Sequence, residues 1–311
     1  MATTGTDVET GLVKGLGAMD ATTLVVGSMI GSGIFIVAAD IGRQVNSPGL
    51  LLMTWIATAA LTLIAALSYG ELAAMMPHAG GQYVYLRESF GPLAGFLYGW
   101  TLFLVIQTGT IAAVAVAFAK FLGVFVPWVS TGNHLVGAGR LGLSTQQFVA
   151  ILVVIVLTAI NARGIRTGAM VQNIFTFAKT AALLGLVVLG FVIGRTPQAA
   201  AANFTDFWRN ASWDFHTIRL VGVAMVGSLF SADAWNNVTF TGAEVRNPRR
   251  NLPLALGLGV AIVSALYIAT NYVYLNVLPL AAIQNAPEDR VATAAAAVML
   301  RPVTCWRILD S

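Results

Sequence analysis

The chain has 311 residues, 57% of them hydrophobic and only 10% charged, with a formal net charge of +4 and a mean hydropathy of +0.79. Soluble domains carry about 25% charged residues, so this balance excludes an ordinary soluble domain, and the small positive excess on loop arginines gives no nucleic-acid footprint. One cysteine, Cys305, excludes an intrachain disulfide framework and a cysteine-based metal site.

From the N-terminus, Met1 to Gly17 carries Asp7, Glu9 and Lys14, a net negative stretch where a signal peptide needs a positive one. Val37-Ala38-Ala39 offers a passable cleavage match, but the first apolar segment is read as retained. A crossing needs about 20 apolar residues at 1.5 Å each. The hydrophobic runs predict seven such helices, near 20–39, 49–76, 92–125, 143–160, 171–193, 217–241 and 252–278. Asp20 is the expected N-cap of the first. Pro48, Pro92 and Pro253 fall at or near helix starts, where a missing N–H does little harm.

With the N-terminus inside, Lys14, Arg87, Arg163, Arg166, Arg246, Arg249 and Arg250 face Arg43, Lys120, Arg140, Arg195, Arg209, Arg219 and Arg290 on the other side. The raw count is balanced. Arg163-Gly164-Ile165-Arg166 and Arg246-Asn247-Pro248-Arg249-Arg250 sit in short loops, which weigh most in the positive-inside rule, so a cytoplasmic N-terminus is expected. Phe204, Phe207, Trp208, Trp213 and Phe215 in the loop after the fifth helix suit an interfacial aromatic belt. Asn203-Phe204-Thr205 and Asn210-Ala211-Ser212 match glycosylation sequons.

Gly27-Ser28-Met29-Ile30-Gly31-Ser32-Gly33-Ile34-Phe35 interrupts the first crossing at its midpoint. Each glycine disfavours a helix interior by about 1 kcal/mol relative to alanine. Backbone freed there has to find partners inside the protein, so such a break is expected to line a cavity. Asp233 lies near the middle of the sixth crossing, where an acidic side chain costs about 2.5–3.5 kcal/mol on insertion scales. It reads either as a buried carboxylate tied to neighbours or as the wall of a polar midplane cavity. Val226-Gly227-Ser228 repeats Val26-Gly27-Ser28, placing two irregular crossings in corresponding positions, first and sixth, as five-helix inverted repeats would. The sixth has no glycine or proline at the break itself.

Gly31-Ser32-Gly33-Ile34-Phe35, Tyr69-Gly70-Glu71-Leu72, Gly80-Gly81-Gln82-Tyr83-Val84-Tyr85 and Phe90-Gly91-Pro92-Leu93-Ala94-Gly95-Phe96 are followed by Phe230-Ser231-Ala232-Asp233-Ala234-Trp235-Asn236-Asn237, Glu244-Val245 and Asn247-Pro248-Arg249-Arg250-Asn251-Leu252-Pro253. In order and spacing this series resembles the amino acid–polyamine–organocation superfamily, in the branch of bacterial amino acid permeases and the light chains of L-type exchangers. The resemblance covers roughly Gly11 to Leu300. It implies an all-α polytopic membrane protein with an inverted-repeat transporter fold, discontinuous first and sixth helices, and about seven transmembrane helices present of an expected twelve.

It also implies a site. The N–H groups and positive dipole end of the half-helix starting near Ser32 would take a substrate carboxylate, with Gly31 and Gly33 leaving room for close approach. Carbonyls around Ile30 and the stretch Phe230, Ser231, Ala232 and Asp233 would take the ammonium. Phe230 matches an aromatic that closes over the substrate, or else simply packs. Relatives often carry glycine where this chain has Ala234, which would crowd the pocket. Trp235 is expected below the site, and Gln107 and Thr108 are lesser lining candidates. Lys179, on the fifth helix, either snorkels to the inner surface or takes the place where sodium-driven cousins bind Na⁺. The latter implies sodium-independent transport by exchange (an antiporter) or by proton coupling.

Glu71 and Glu244 are expected to pair, in solvent, with nearby Arg87 and Arg246. His78, His134 and His216 are too scattered for a metal or catalytic set, so no catalytic residue, metal or cofactor is expected. The expected organisation is a cytoplasmic tail (1–18), a first five-helix repeat (19–194), an extracellular or periplasmic loop (195–216), two helices of a second repeat (217–279), an outer loop helix (280–300) and an atypical tail (301–311). Arg301, Arg307 and Asp310 mark that tail, as a truncation would leave it, and a truncated chain is not expected to transport alone. The expected function is amino acid transport across the cytoplasmic (inner) membrane, with neutral amino acids as substrates, lipid as surroundings, no nucleic acid and no prediction of oligomeric state. The alternatives are a cationic amino acid or polyamine carrier, and a non-transporting fragment that senses an amino acid or supports a partner.

Overall fold

Glycine, proline and asparagine set the ends of nearly every helix in the computed structural model, which describes residues 14–137, 142–162, 165–212 and 214–308, with side chains described outside 165–173 and 301–308. Trp213, Arg140, Arg163 and most of the N-terminal tail, with Asp7 and Glu9, lie outside the described residues, as do the last three of the C-terminal tail.

Helix α1 spans Ala18–Met29 and α2 spans Gly33–Val45, separated by Ile30, Gly31 and Ser32. Asp20 is not the N-cap that was expected. It sits inside the first turn and its carboxylate accepts the Gly17 N–H at 2.9 Å, the backward reach of a capping box. Asn46 ends α2 in the left-handed conformation at φ 44°, which asparagine tolerates, and Pro48 opens α3 (Pro48–Met75). Gly80 and Gly81, both at positive φ, turn the chain into the short α4 (Gln82–Phe90). Helix α5 (Pro92–Thr101) passes through a π-helical stretch, Leu102–Gln107, into α6 (Thr108–Phe125).

A small antiparallel hairpin of β1 (His134–Val136) and β2 (Leu143–Ser144) precedes α7 (Thr145–Ala162) and α8 (Ile165–Ile193). The following loop folds as α9 (Pro197–Phe204), started by Thr196 as N-cap. Asp214 caps α10 (Phe215–Ser231) by accepting the Thr217 N–H at 2.9 Å. A 3-10 segment, Trp235–Glu244, completes that crossing. Helix α11 runs Pro248–Val277, so it starts ahead of Pro253 and carries that proline inside. Then come α12 (Leu280–Gln284), a 3-10 turn over Pro287–Asp289 and α13 (Val291–Ile308).

Among the described residues six helices are long and apolar enough to cross a membrane, and seven if the pair α1 and α2 counts as one broken crossing. The chain is therefore an all-α, multi-pass membrane protein.

The described residues form two compact units. One contains α1, the second half of α3 from Ala60, α4, α5, the Trp235–Glu244 segment and α11 as far as Val263. Its interior is closed by small-residue contacts: Gly70 lies against Pro253, and Gly259 against Val25. Residues Gly15, Leu16 and Arg246 make a short parallel backbone pairing with Glu244 and Leu16.

The second unit contains α2, the first half of α3, α6 to α10, the rest of α11, α12 and α13. Here α2 packs along α10. A side chain on Gly33 would lie 2.8 Å from Ser231 Cβ and 3.0 Å from Ser231 Cα, and one on Gly227 would meet Val37 at 2.8 Å. Asn203, 0% exposed, donates to the Leu275 and Leu278 carbonyls and accepts the Leu280 N–H. Its sequon is therefore a structural pin between α9 and α11, whereas Asn210 is exposed. Phe204 stacks on Phe207, Trp208 meets Phe207 edge-on, and Phe204 also meets Tyr272.

Two consequences are measurable. Gly33→Ala forces α2 away from Ser231 and is expected to cost about 1–3 kcal/mol, read as a lower unfolding midpoint that Gly33→Ala/Ser231→Gly partly restores. The cap bonds from the Thr217 N–H and from Ser212 lower the Asp214 pKa. Its contribution is thus complete above the ordinary aspartate range and fades as pH falls through the lowered value. Asp214→Ala is expected to lower the midpoint at neutral pH and to erase that acid-side fading, while Asp214→Asn, still an N-cap residue, keeps most of the midpoint.

Candidate functional site

Loss of helix at Ile30–Ser32 leaves the first N–H groups of α2 without intrahelical acceptors. Ser32 occupies the N-cap position at φ −72°, ψ −21°, and its side chain makes no cap bond. Phe35 N–H closes on Ser32 C=O at 3.1 Å. No acceptor for the Gly33 or Ile34 amide is found among the described residues, although both residues are buried. Ile30 is also fully buried, and Gly31 and Ser32 are half-buried.

The sixth crossing breaks too. Helix α10 ends at Ser231, with Ala232 N–H on Ser228 C=O at 2.9 Å. Ser228, fully buried, lies 2.6 Å from the Thr58 hydroxyl of α3. Ser231 turns its hydroxyl to the Gly227 carbonyl at 2.9 Å. Ser231 and Ala232 are buried, while Phe230 is 51% exposed and so is not a core packing residue.

Two tyrosines of α11, seven residues apart on one face, address these termini. The Tyr267 hydroxyl donates to Ser231 C=O at 3.2 Å. The Tyr274 hydroxyl donates to Ile34 C=O at 3.3 Å. Their residues are 2% and 0% exposed, and Trp55 packs edge-on against Tyr267 at 5.6 Å.

Asp233, Ala234 and Trp235 belong to the other unit. Asp233 is exposed and forms no salt bridge among the described residues. Ala234 is left-handed at φ 69°, ψ 3°, a conformation that costs an L-residue about 1–2 kcal/mol. Its carbonyl is 2.9 Å from the Ser28 hydroxyl of α1. Trp235 packs edge-on against Tyr69 at 5.0 Å.

Elsewhere, Gln107 ends the π-helical stretch and Thr108 starts α6, both exposed. Lys179 lies half-buried on α8 with no salt bridge among the described residues. The expected pairing of Glu71 and Glu244 with arginines does not form: Arg87 bonds its neighbour Glu88 at 2.8 Å and Arg246 reaches the Lys14 carbonyl. No group of three or more metal-ligating side chains occurs among the described residues.

Sequence reasoning named neither Tyr267, Tyr274 nor Ser28 as parts of the site. The only signal was chemical: each puts a hydroxyl in an apolar crossing, where a polar group needs a partner.

Comparison with known proteins agrees with this architecture. The family model for amino acid permeases matches residues 16–306, past the change of composition at Arg301. The chain is 30% identical to the b(0,+)-type amino acid transporter 1 of Mus musculus over 270 residues, 86% of this chain and 52% of that protein. It is 32% identical to the large neutral amino acids transporter small subunit 2 of Mus musculus over 292 residues, 92% of this chain and 51% of that protein. The human counterparts match at 30% and 32%. The chain spans about half the length of these curated relatives. On residues 16–306, this chain belongs to the amino acid permease family.

Proposed function

We propose that the chain serves a secondary transporter that carries free amino acids across the cytoplasmic membrane by alternating access, with no covalent step. The observation that carries this reading is the pair of buried amides at Gly33 and Ile34, for which no acceptor is found among the described residues. A buried N–H without an acceptor costs about 1–3 kcal/mol, and at a helix N-terminus it favours an anion. The C-terminal end of α10, a region of negative partial charge, touches α2 at Gly33 and Ser231. A zwitterion suits both: its carboxylate to the α2 amides beyond Ile30, Gly31 and Ser32, its ammonium to carbonyls near Phe230, Ser231, Ala232 and Asp233.

Exposed Phe230 is free to close over such a ligand. The Lys179 ammonium stands in for a sodium ion, which favours exchange or proton coupling. The names of the relatives, amino acid transporters in both cases, support the substrate class, and neutral amino acids are the preferred members. The loop arginines support a cytoplasmic N-terminus. A second reading, a cationic amino acid or polyamine as substrate, draws on the exposed Asp233 carboxylate without a salt bridge among the described residues.

Competition binding of labelled leucine to the purified chain separates the two. Alanine and leucine are expected to displace the label while arginine and putrescine do not. Displacement by arginine and putrescine favours the second reading, and no binding of any amino acid overturns the site. Ala234→Gly removes the left-handed cost, so unfolding stability is expected to rise by about 1 kcal/mol. It is also expected to shift preference toward larger side chains, seen as phenylalanine gaining on alanine in the same competition assay.

A further inference from the structure

At the end of α2 away from the break, charged and polar side chains converge on the connection formed by α12 and the Pro287–Asp289 turn. Arg43, in the last turn of α2, donates to Gln284 C=O at 2.9 Å and to Asp289 Oδ1 at 2.8 Å. Gln284 returns the contact, its amide donating to Gly42 C=O and to Asn46 Oδ1, each at 2.9 Å. The other Asp289 oxygen lies 3.6 Å from Lys120 Nζ on α6. Arg290 donates to Lys120 C=O at 2.8 Å, passing Gly123, where a side chain would come within 3.6 Å of its guanidinium.

Asp289 thus joins two helices that are otherwise far apart in sequence. The turn that presents it is not relaxed: Glu288 and Asp289 stand consecutively at φ 48° and 61°. Aspartate accepts that conformation better than most residues. Within α12, Leu280 and Ile283 are 1% and 0% exposed, so the connection itself buries apolar side chains.

We propose that residues 280–290 form an ionic strap, with Asp289 as its buckle, that fastens the free end of α2 to α6 and releases when its charges are neutralised or screened. This adds a conformational control to the transport reading, and it is read out without transport. The strap is closed by ions rather than by a covalent or metal link, so its hold depends on ionic strength. Exposed ion pairs contribute little singly. Here one carboxylate is shared by two cations, and the arginines on either side of it also bond backbone carbonyls, which raises the cost of breaking either contact alone.

The test uses Cys305→Ser/Ile283→Cys in membranes, with a water-soluble maleimide reading how often the buried Ile283 position becomes accessible. Asp289→Asn keeps the left-handed turn and removes the charge. It is expected to speed labelling about five- to tenfold, and Arg43→Gln to do the same. The double variant is expected to exceed neither single variant appreciably, because both act through one contact. Raising salt from about 0.05 to 0.5 M, which shortens the screening length, is expected to speed labelling of the parent and to leave Asp289→Asn unchanged. Labelling that ignores both Asp289→Asn and salt overturns the strap. If Asp289→Asn does not fold, the salt response of the parent decides alone. Competition binding fails or succeeds independently of all these rates, so a failed strap and a failed transport reading are distinguishable.

Discussion

Inside a bilayer no water is at hand for a backbone N–H or C=O, so every helix break has to be repaired by the protein or by what it binds. Two crossings of this chain lose their helix, at Ile30–Ser32 and at Ala232–Ala234. The repairs are specific. Tyr267 serves the Ser231 carbonyl and Ser28 the Ala234 carbonyl, while Tyr274 adds a donor to the Ile34 carbonyl inside α2. Helix α11 therefore contributes more than a crossing. Its two tyrosines stand two turns apart, about 10 Å along the axis; Tyr267 holds the Ser231 carbonyl at the open end of α10, and Tyr274 ties α11 to α2 at Ile34.

Gly33 shows how such a repair constrains the sequence. Its missing side chain reads naturally as room for a ligand, and that was the expectation. The space is instead filled by Ser231, whose hydroxyl and carbonyl are already engaged by Gly227 and Tyr267. Glycine at this position is demanded by helix packing whether or not a ligand ever touches it. The amides of Gly33 and Ile34 are a separate matter, since among the described residues no acceptor is found for either buried N–H. Side-chain absence and backbone presence at one residue thus answer to different causes.

The crossings were legible in the sequence because hydropathy and length act over some twenty residues, and the first break because a glycine run has a uniform local cost. The second break was legible only through its acidic residue and its weak likeness to the first. Nothing about Ala234 announces a left-handed backbone, which is imposed by the surrounding chain. The π-helical stretch at Leu102–Gln107 is equally silent, as its residues are ordinary helix formers. Asp20 was placed in the correct turn and given the wrong role, because a carboxylate can cap by accepting from the amides ahead of it or from one behind it. Asn203 was one half of a sequon until its depth was known. Pins of this kind connect positions 72 to 77 residues apart, and a single sequence does not carry that information.

A site made from peptide groups recognises what all α-amino acids share. Amides at Gly33 and Ile34 and carbonyls at the end of α10 can address a carboxylate and an ammonium, but they see nothing beyond the α-carbon. In the proposed site, discrimination among substrates would then rest on side chains and on the space between them. Backbone recognition demands a particular fold and leaves a strong, regular trace in the sequence, such as the glycine run. Side-chain discrimination needs only a methyl group or a ring in the right place, worth about 1–3 kcal/mol per methylene. On the proposed reading, broken helices declare a class of substrate clearly, while the choice among its members turns on side-chain differences as small as one methyl group.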